Sequence, residues 1–118
     1  MTPKEFEKYL RRDSGCLHCG FIDVAVPHHR ANRGAGGFKG GNKPSNLLVM
    51  CARANQLMES DHDWARLART YGWKISRYDD PSEIPVWYPL EGRWFLLNDE
   101  FERQVFTPVD KSVDKSVE

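Results

Sequence analysis

The chain has 118 residues, with 17 Lys and Arg, 17 Asp and Glu, and a formal net charge of zero. This length predicts one domain with a modest core and argues against two domains. No stretch approaches the roughly 20 apolar residues of a membrane span, and the polar N-terminus does not resemble a signal peptide. We therefore expect a protein with no membrane contact that stays in the cytoplasm, either of a bacterium or of an infected host.

Charge is unevenly distributed along the chain. Residues Met1 to Leu57 include nine Lys and Arg against four Asp and Glu, which leaves eight against thirteen in the remainder. The front half therefore carries about +5 and the back half about −5. A cationic half beside an acidic one suggests that a polyanion faces the front of the molecule.

The front half predicts a helix followed by two strands and another helix. Thr2 and Pro3 are typical of a helix start, and the helix is expected to end near Asp13. A strand is predicted over 21–26, running into Pro27, and a short buried strand over 47–50. A helix is expected over 52–57. The glycine-rich segment 31–45 reads as a long loop, and loops of that length inside compact domains are usually functional.

The back half predicts a second helix and a hairpin. Ser60 and Asp63 resemble a capping box, and Gly72 supplies the helix stop. A strand is expected over 73–78. The segments 85–90 and 94–97 read as a hairpin turning at 91–93, with prolines that confine its first strand to a sheet edge.

These elements predict a small α+β domain over 1–106. Its centre would be a ββα unit within residues 10–59, extended by the helix and hairpin of residues 60–106. The repetitive tail 107–118 has almost nothing to bury, so we expect it to be disordered.

Two adjacent histidines, His28 and His29, are followed by Asn46 and Asn55. A ββα hairpin would place the histidines at the end of its first strand and Asn55 in its helix. Such a unit can hold one divalent cation, which polarises a phosphoryl group while a neutral imidazole takes a proton from water. Imidazole and amide ligands completed by water suit Mg²⁺ or Mn²⁺ better than a closed structural zinc site.

Three segments of the N-terminal half form a pattern: Leu-Arg-Arg-Asp-Ser-Gly-Cys-Leu-His-Cys-Gly, Val-Pro-His-His-Arg and Asn-Leu-Leu-Val-Met-Cys-Ala-Arg-Ala-Asn. This pattern resembles the HNH, or ββα-metal, nuclease family, in an H-N-N variant. The resemblance implies that His29 is the general base, that Asn46 orients it, and that His28 and Asn55 bind the catalytic cation. It covers less than half of the chain. The small size hints at a phage or mobile-element protein.

Because neighbouring strand residues point to opposite faces, two imidazoles serving one site require a departure from regular strand geometry. We therefore expect the chain to leave β geometry after Pro27.

Three cysteines, Cys16, Cys19 and Cys51, include one C-x-x-C pair, which favours a thiolate metal knuckle over a disulfide framework. In the family that the chain resembles, members with a structural zinc carry a second C-x-x-C pair. Here the second pair is interrupted at Ala54. Zinc prefers four ligands in structural sites, so a fourth must come from elsewhere, with His18 and His62 as the remaining histidines, or the zinc is weak or lost. Without metal the cysteines would be small buried packing residues.

Basic residues lie in and beside the glycine-rich loop. They are either a solvated linker or phosphate contacts, since glycine beside cations lets backbone and side chain approach phosphates closely. We predict phosphate contact for Arg30, Arg33, Lys39, Lys43 and Arg53.

The sequence therefore predicts a metal-dependent endonuclease that hydrolyses DNA phosphodiester bonds. Nicking or structure-selective cutting is as consistent with it as a sequence-specific double-strand cut, because no base-reading element is evident. The alternative is a catalytically inactive ββα zinc module that binds nucleic acid or a protein partner, such as a second copy of the chain. Cleavage that chelation abolishes would separate the two.

Overall fold

A computed structural model describes residues 1–31 and 42–108. Within these residues the chain forms a small α+β domain with three α-helices and two antiparallel sheets. The glycine-rich part of the predicted loop and nearly all of the predicted tail lie outside this range. In chain order the elements are α1 (Pro3–Asp13), β1 (Ala25–His29), β2 (Leu47–Cys51), α2 (Ala52–Ser60), α3 (His62–Thr70), β3 (Val86–Tyr88), β4 (Arg93–Leu97) and β5 (Arg103–Phe106).

Helix α1 begins and ends where the sequence predicts. The Thr2 hydroxyl accepts a hydrogen bond from the Glu5 N–H at 3.1 Å, and the Glu5 carboxylate accepts one from the Thr2 N–H at 2.9 Å. This capping box satisfies two of the amide groups that a helix start leaves without partners. The helix stops at Ser14, whose left-handed backbone turns the chain towards the cysteine pair.

Strand β1 lies further along the chain than predicted. The Cys16 N–H donates to the Phe21 carbonyl at 3.0 Å, so the predicted start of the strand instead closes the turn around Cys16. Pairing with β2 begins at Ala25 and continues through both histidines. The Arg30 N–H donates to the Asn46 carbonyl at 2.8 Å. Since ladder hydrogen bonds fall on alternate residues, Pro27 occupies a position that needs no N–H.

Strand β2 is buried on both faces. Leu48 and Met50 point into the main core, whereas Leu47 and Val49 pack against α1. Cross-strand partners share a face, so His28 opposite Leu48 faces the main core and His29 opposite Leu47 faces α1. The main core also contains residues from both later helices and the second sheet, among them Met58, Ala68, Trp73, Val86, Tyr88 and Leu97.

The second predicted helix is present as α3 but is capped by Asp61, whose carboxylate accepts from the Trp64 N–H at 3.0 Å, and not by Ser60. Gly72 ends it as predicted. It has a φ of 76°, and a Cβ there would lie 2.0 Å from the Pro85 carbonyl oxygen, so a larger residue would clash with the chain entering β3.

The C-terminal sheet has the order β3-β4-β5, with β3 at an edge as the prolines predict. Its third strand, β5, was not predicted. The strand predicted over 73–78 is wrong, because the Trp73 and Lys74 N–H groups bond back to the Ala68 carbonyl at the end of α3. Within the described part of the chain, Ile75 alone of this segment pairs, in an isolated bridge with Ala31.

A buried ion pair joins α1 to both sheets. Arg12 and Asp13 form two hydrogen bonds, at 2.7 and 2.9 Å, with side chains 1 % and 0 % exposed. The Asp13 carboxylate also accepts from the Val49 N–H of β2 at 3.1 Å and from the Tyr88 hydroxyl of β3 at 2.6 Å. This carboxylate therefore links three elements. No helix among the described residues is long and apolar enough to cross a membrane.

Candidate functional site

The two histidines lie on opposite faces of β1. Both belong to the strand, with His28 paired to Leu48 and His29 to Leu47. The expectation that the chain leaves β geometry after Pro27 is therefore wrong. The pairing continues because Pro27 sits at a position that gives up no ladder hydrogen bond. The two imidazoles consequently have different surroundings.

His28 is buried, with 2 % of its surface exposed, between α2 and the segment after α3. Its Nδ1 lies 2.9 Å from the Asn55 Oδ1, and its Nε2 lies 2.7 Å from the Trp73 carbonyl oxygen. A carbonyl can only accept, so Nε2 carries the hydrogen and donates to Trp73. In the neutral ring this leaves the Nδ1 lone pair directed at the Asn55 amide.

Burial lowers the pKa of His28 below its ordinary value of 6.5, and the acceptors on Trp73 and Asn55, which favour the protonated ring, only partly oppose this. The ring is therefore neutral at pH 7, and an oxygen of Asn55 and a nitrogen lone pair of His28 face each other. Two ligands held about 2.1 Å from Mg²⁺ and about 90° apart lie about 3.0 Å from each other. The pair fits one edge of an octahedral cation site. In metal-free protein a 180° rotation of the Asn55 amide turns the contact into an N–H···N hydrogen bond.

Stability should fall at acid pH because of His28. The native state holds this ring neutral while the unfolded chain protonates it near pH 6.5, so the unfolded state binds more protons below that pH. Between pH 6.5 and the lower native pKa, the loss should reach about 1.4 kcal/mol per pH unit. Urea unfolding in EDTA should show this loss in wild type and a smaller one in His28→Gln. Equal slopes in the two proteins would contradict it.

Glu59 is a further residue near His28 and Asn55 that sequence reasoning missed. It follows Asn55 by one turn of α2, and its charge acts on His28 to raise the pKa of that ring. Its carboxylate also bonds to the Lys74 ammonium at 2.9 Å. The i,i+4 spacing from Asn55 was the signal that could have identified it.

His29 faces α1 and contacts a different asparagine. Its Nε2 lies 2.8 Å from the Asn42 Oδ1. With that oxygen accepting, Nε2 carries the hydrogen and Nδ1 keeps a free lone pair, which is the form a general base needs. Asn42 therefore sets the tautomer of this imidazole. Nothing in the spacing of the motif distinguishes Asn42 from the other polar residues of the loop.

Asn46 is fully buried and holds the backbone beyond β1. Its Oδ1 accepts from the Ala31 N–H at 2.9 Å, and its amide donates to the Ala31 carbonyl at 3.4 Å. Its own carbonyl accepts from the Arg30 N–H. The residue predicted to orient the base therefore fixes the course of the chain just after His29, while Asn42 contacts the ring.

Arg30 is a structural residue, so its predicted phosphate contact is wrong. The residue is 1 % exposed, and its guanidinium donates at 2.8 Å to the carbonyls of Gly72, Ser45, Pro81 and Ile84. Burial lowers its pKa to about 10. The backbone acceptors that occupy its donors come from segments distant in sequence, and only the tertiary structure brings them together.

Of the other predicted phosphate contacts, Lys43 and Arg53 are exposed. Lys43 precedes the short 3₁₀ helix Pro44–Asn46, and Arg53 lies in the first turn of α2. Arg33 and Lys39 lie outside the described residues. Lys43 and Arg53 are therefore accessible to a polyanion, and their contact with phosphate stays a prediction.

The three cysteines form a cluster that could hold a metal ion. The sulfur atoms of Cys16, Cys19 and Cys51 lie within 4.8 Å of one another, and none forms a disulfide. The His18 N–H donates to the Cys16 sulfur and the Ala54 N–H to the Cys51 sulfur, each at 3.3 Å. Amide donors of this kind stabilise thiolates, so the donor set fits a soft cation such as Zn²⁺.

The thiols of the cluster differ in acidity. Burial raises the pKa of Cys16 to about 11. Burial also acts to raise the pKa of Cys51, but the Ala54 N–H and the neighbouring sulfurs outweigh it and lower that pKa. Cys51 is also the N-cap of α2. It is therefore more readily deprotonated than Cys16 and a favourable starting point for metal binding.

No fourth ligand joins the sulfurs from the histidines, aspartates and glutamates of residues 1–31 and 42–108. His18, one predicted candidate, packs its ring edge against Trp64 with centroids 4.9 Å apart. His62, the other, begins α3. Ala54 is buried beside Cys51 at the position where a complete knuckle would carry a cysteine.

Replacing Ala54 with cysteine should complete a four-sulfur site. We expect tighter zinc binding and, at zinc 100 times above the dissociation constant, about 2.7 kcal/mol of added stability, because the metal binds only the folded state. Elemental analysis and melting curves with and without zinc measure both effects. Ala54→Ser, which adds similar bulk without a thiol, is the control. No gain over that control would mean that the cluster is packing alone.

Comparison of the chain with protein-family models, with curated proteins and with solved structures found no match in any of the three searches.

Proposed function

We propose that the protein is a metal-dependent endonuclease of the HNH type that hydrolyses DNA phosphodiester bonds. One observation carries the proposal: the buried neutral imidazole of His28 and the Asn55 oxygen face each other at 2.9 Å, with the imidazole held from behind by the Trp73 carbonyl. Metal-binding histidines typically donate their second ring N–H to such a carbonyl.

His28 and Asn55 would hold Mg²⁺ or Mn²⁺, and the negative charge of Glu59 already acts on the His28 ring. When bound, such a cation polarises the phosphoryl group and stabilises the leaving oxyanion. Trp73 keeps the His28 ring in the tautomer whose Nδ1 can bind. Asn55 is only half-buried, so the site opens to solvent on its α2 side.

His29 is proposed to take a proton from the attacking water at Nδ1, while Asn42 holds Nε2–H and Asn46 fixes the backbone beyond it. Because His28 and His29 lie on opposite faces of β1, a phosphate meets both only if it lies across the edge of that strand. The β1–β2 sheet has two strands, so from Ala25 to His29 that edge pairs with no third strand among the described residues. Lys43 and Arg53 would attract the DNA backbone.

A second function is favoured by the cysteine cluster and by the separation of the two imidazoles. A catalytically inactive zinc module that binds nucleic acid or a protein partner would need the thiolates but neither histidine. In that case a divalent cation bound at His28 would not lead to DNA cleavage.

Incubation of the purified protein with supercoiled plasmid and with branched DNA, in Mg²⁺, Mn²⁺ or EDTA, tests the proposal. We expect nicked or cut products that EDTA abolishes and that His28→Ala loses at low metal concentration. Arg66→Ala, on the exposed face of α3, is a matched surface control that should cut normally. DNA binding without cleavage in any metal would favour the inactive module.

Asn42→Asp should move the acid limb of the cleavage profile to higher pH. A carboxylate in place of the amide stabilises the protonated form of His29, so a higher pH is needed to convert the ring to the neutral base. A displacement of about one pH unit is expected. Asn42→Ala should instead lower the rate with little displacement, since it removes the acceptor without adding charge. A profile unchanged in Asn42→Asp would mean that Asn42 does not act on the base.

A further inference from the structure

A depression of about 570 Å³ lies on the α1 side of β1, where His29 points. Its lining includes Glu5, Lys8 and Tyr9 from α1, His29 and Asn42 from the candidate site, and Phe101 from the turn between β4 and β5. The proposed base is thus part of the wall of a pocket. What occupies that pocket during catalysis would be adjacent to the bond that is cut.

The pocket combines aromatic and aliphatic side chains with polar groups. Tyr9 and Phe101 meet edge to face with ring centroids 4.9 Å apart, and Leu47 lies beside them. The Tyr9 hydroxyl forms no hydrogen bond with another residue in the described ranges. Aromatic rings beside hydrogen-bonding groups can both stack on and hydrogen-bond to a ligand that contains a ring.

Phe101 is held in a costly conformation. Its φ is 62°, a left-handed backbone that a bulky residue rarely adopts. The Asn98 side chain fixes this turn by accepting from the Glu100 and Glu102 N–H groups at 2.8 and 3.1 Å, and Asp99 anchors it to Ser45 at 3.0 Å. Strain of this kind persists where the surroundings enforce it and clusters at binding sites. Here it places an aromatic ring at the pocket.

Charge around the pocket also suits a nucleotide. The Lys8 ammonium lies 5.3 Å from the Phe101 ring centre. The one described carboxylate in the lining, Glu5, accepts hydrogen bonds in the α1 capping box. Lys8 is therefore the cation in the described lining that could contact a phosphate flanking an inserted base.

We propose that this pocket binds one unstacked nucleobase of a DNA strand, next to the phosphodiester that His29 serves, and so selects single-stranded or distorted DNA over intact duplex. A paired duplex cannot enter a depression of this size, whereas a base that has left the stack can. Stacking on the Phe101 ring and hydrogen bonding to Tyr9 and Asn42 would hold it. The inference rests on the proposed nuclease function and names its substrate class.

Binding measured in EDTA tests the pocket without requiring cleavage. Fluorescence anisotropy would compare an oligothymidylate with a strand of equal length made of abasic deoxyribose phosphates, and with a duplex. Wild type should bind the oligothymidylate about tenfold tighter than the abasic strand, because base stacking on aromatic side chains is sequence-tolerant and strong. Equal affinity for the two strands would overturn the proposal.

Phe101→Gly should abolish that difference. Glycine is suited to the left-handed backbone at this position, so relief of strain offsets part of the lost packing. Phe101→Leu keeps apolar bulk and should retain only a small preference. Tyr78→Ala removes an aromatic ring that is 89 % exposed and does not line the pocket, so it should keep the full preference. A full preference in Phe101→Gly would contradict the pocket.

The two proposals fail separately. Base-dependent binding that Phe101→Gly removes, without cleavage in Mg²⁺ or Mn²⁺, would uphold the pocket and contradict the nuclease. Metal-dependent cleavage by a protein that binds the two single strands equally would uphold the nuclease and contradict the pocket.

Discussion

His29→Ala is expected to lower the rate of DNA cleavage by about 10²- to 10⁴-fold, the usual contribution of a positioned general base. The alanine removes the Nδ1 lone pair that takes the proton from water. Folding should change little, because His29 is only half-buried and its hydrogen bond within the described residues is to Asn42 at the surface. Single-turnover cleavage of plasmid at saturating Mg²⁺, with urea unfolding alongside, measures both quantities.

The matched variant is His28→Ala, the neighbouring imidazole on the opposite face of β1. It should weaken metal binding, measured by calorimetry with Mn²⁺, whereas His29→Ala should leave that affinity unchanged. Added Mn²⁺ should therefore restore part of the cleavage in His28→Ala and none in His29→Ala. Near-normal cutting by His29→Ala would remove it from the mechanism, and equal loss of metal affinity in both variants would mean that the imidazoles share one role.

Asp13→Ala is expected to destabilise the fold by about 3–5 kcal/mol, because it leaves the Arg12 guanidinium buried without its counter-charge. It also removes the acceptor of the Tyr88 hydroxyl and of the Val49 N–H. A loss of this size is a large part of the stability of a small domain. Urea unfolding measures it, and Asp13→Asn, which keeps an oxygen acceptor, should lose less.

A double replacement, Arg12→Met with Asp13→Ala, measures the interaction between the two residues apart from their other contacts. Removing both charges avoids the unpaired cation, so the double variant should be more stable than Asp13→Ala alone. Additive losses from the two single variants would show that the residues do not act as a pair. Glu7→Ala, whose exposed partner is Arg11, should change stability by less than about 1 kcal/mol.

Elements defined by local signals were predicted well. The capping residues of α1, the apolar run of β2 and the glycine after α3 each act over a few residues, so their structure follows from the nearby sequence. The start of β1 was placed too early because Phe21 and Ile22 are apolar, yet both are exposed. The Cys16 N–H instead bonds to the Phe21 carbonyl, so that segment closes a turn and does not pair with β2.

The partners of the site residues were predicted less completely. His28 and Asn55 lie 2.9 Å apart, and their binding of a cation stays a prediction. The Trp73 carbonyl that orients His28, and the Asn42 oxygen that contacts His29, depend on how distant segments pack. Arg30 illustrates the limit: a cation beside a glycine-rich loop is typical of phosphate binding, but four backbone carbonyls enclose this one.

The sequence by itself determined the α+β class, the order of α1, β2 and α2, the edge position of β3, and the cysteine residues that cluster. These depend on capping, hydrophobic period and spacing, which act locally. Only the tertiary structure decided that His28 and His29 face opposite sides of β1, because the pairing register of β1 with β2 sets the direction of both side chains. It also decided which charged groups are buried, since burial depends on acceptors far apart in the chain.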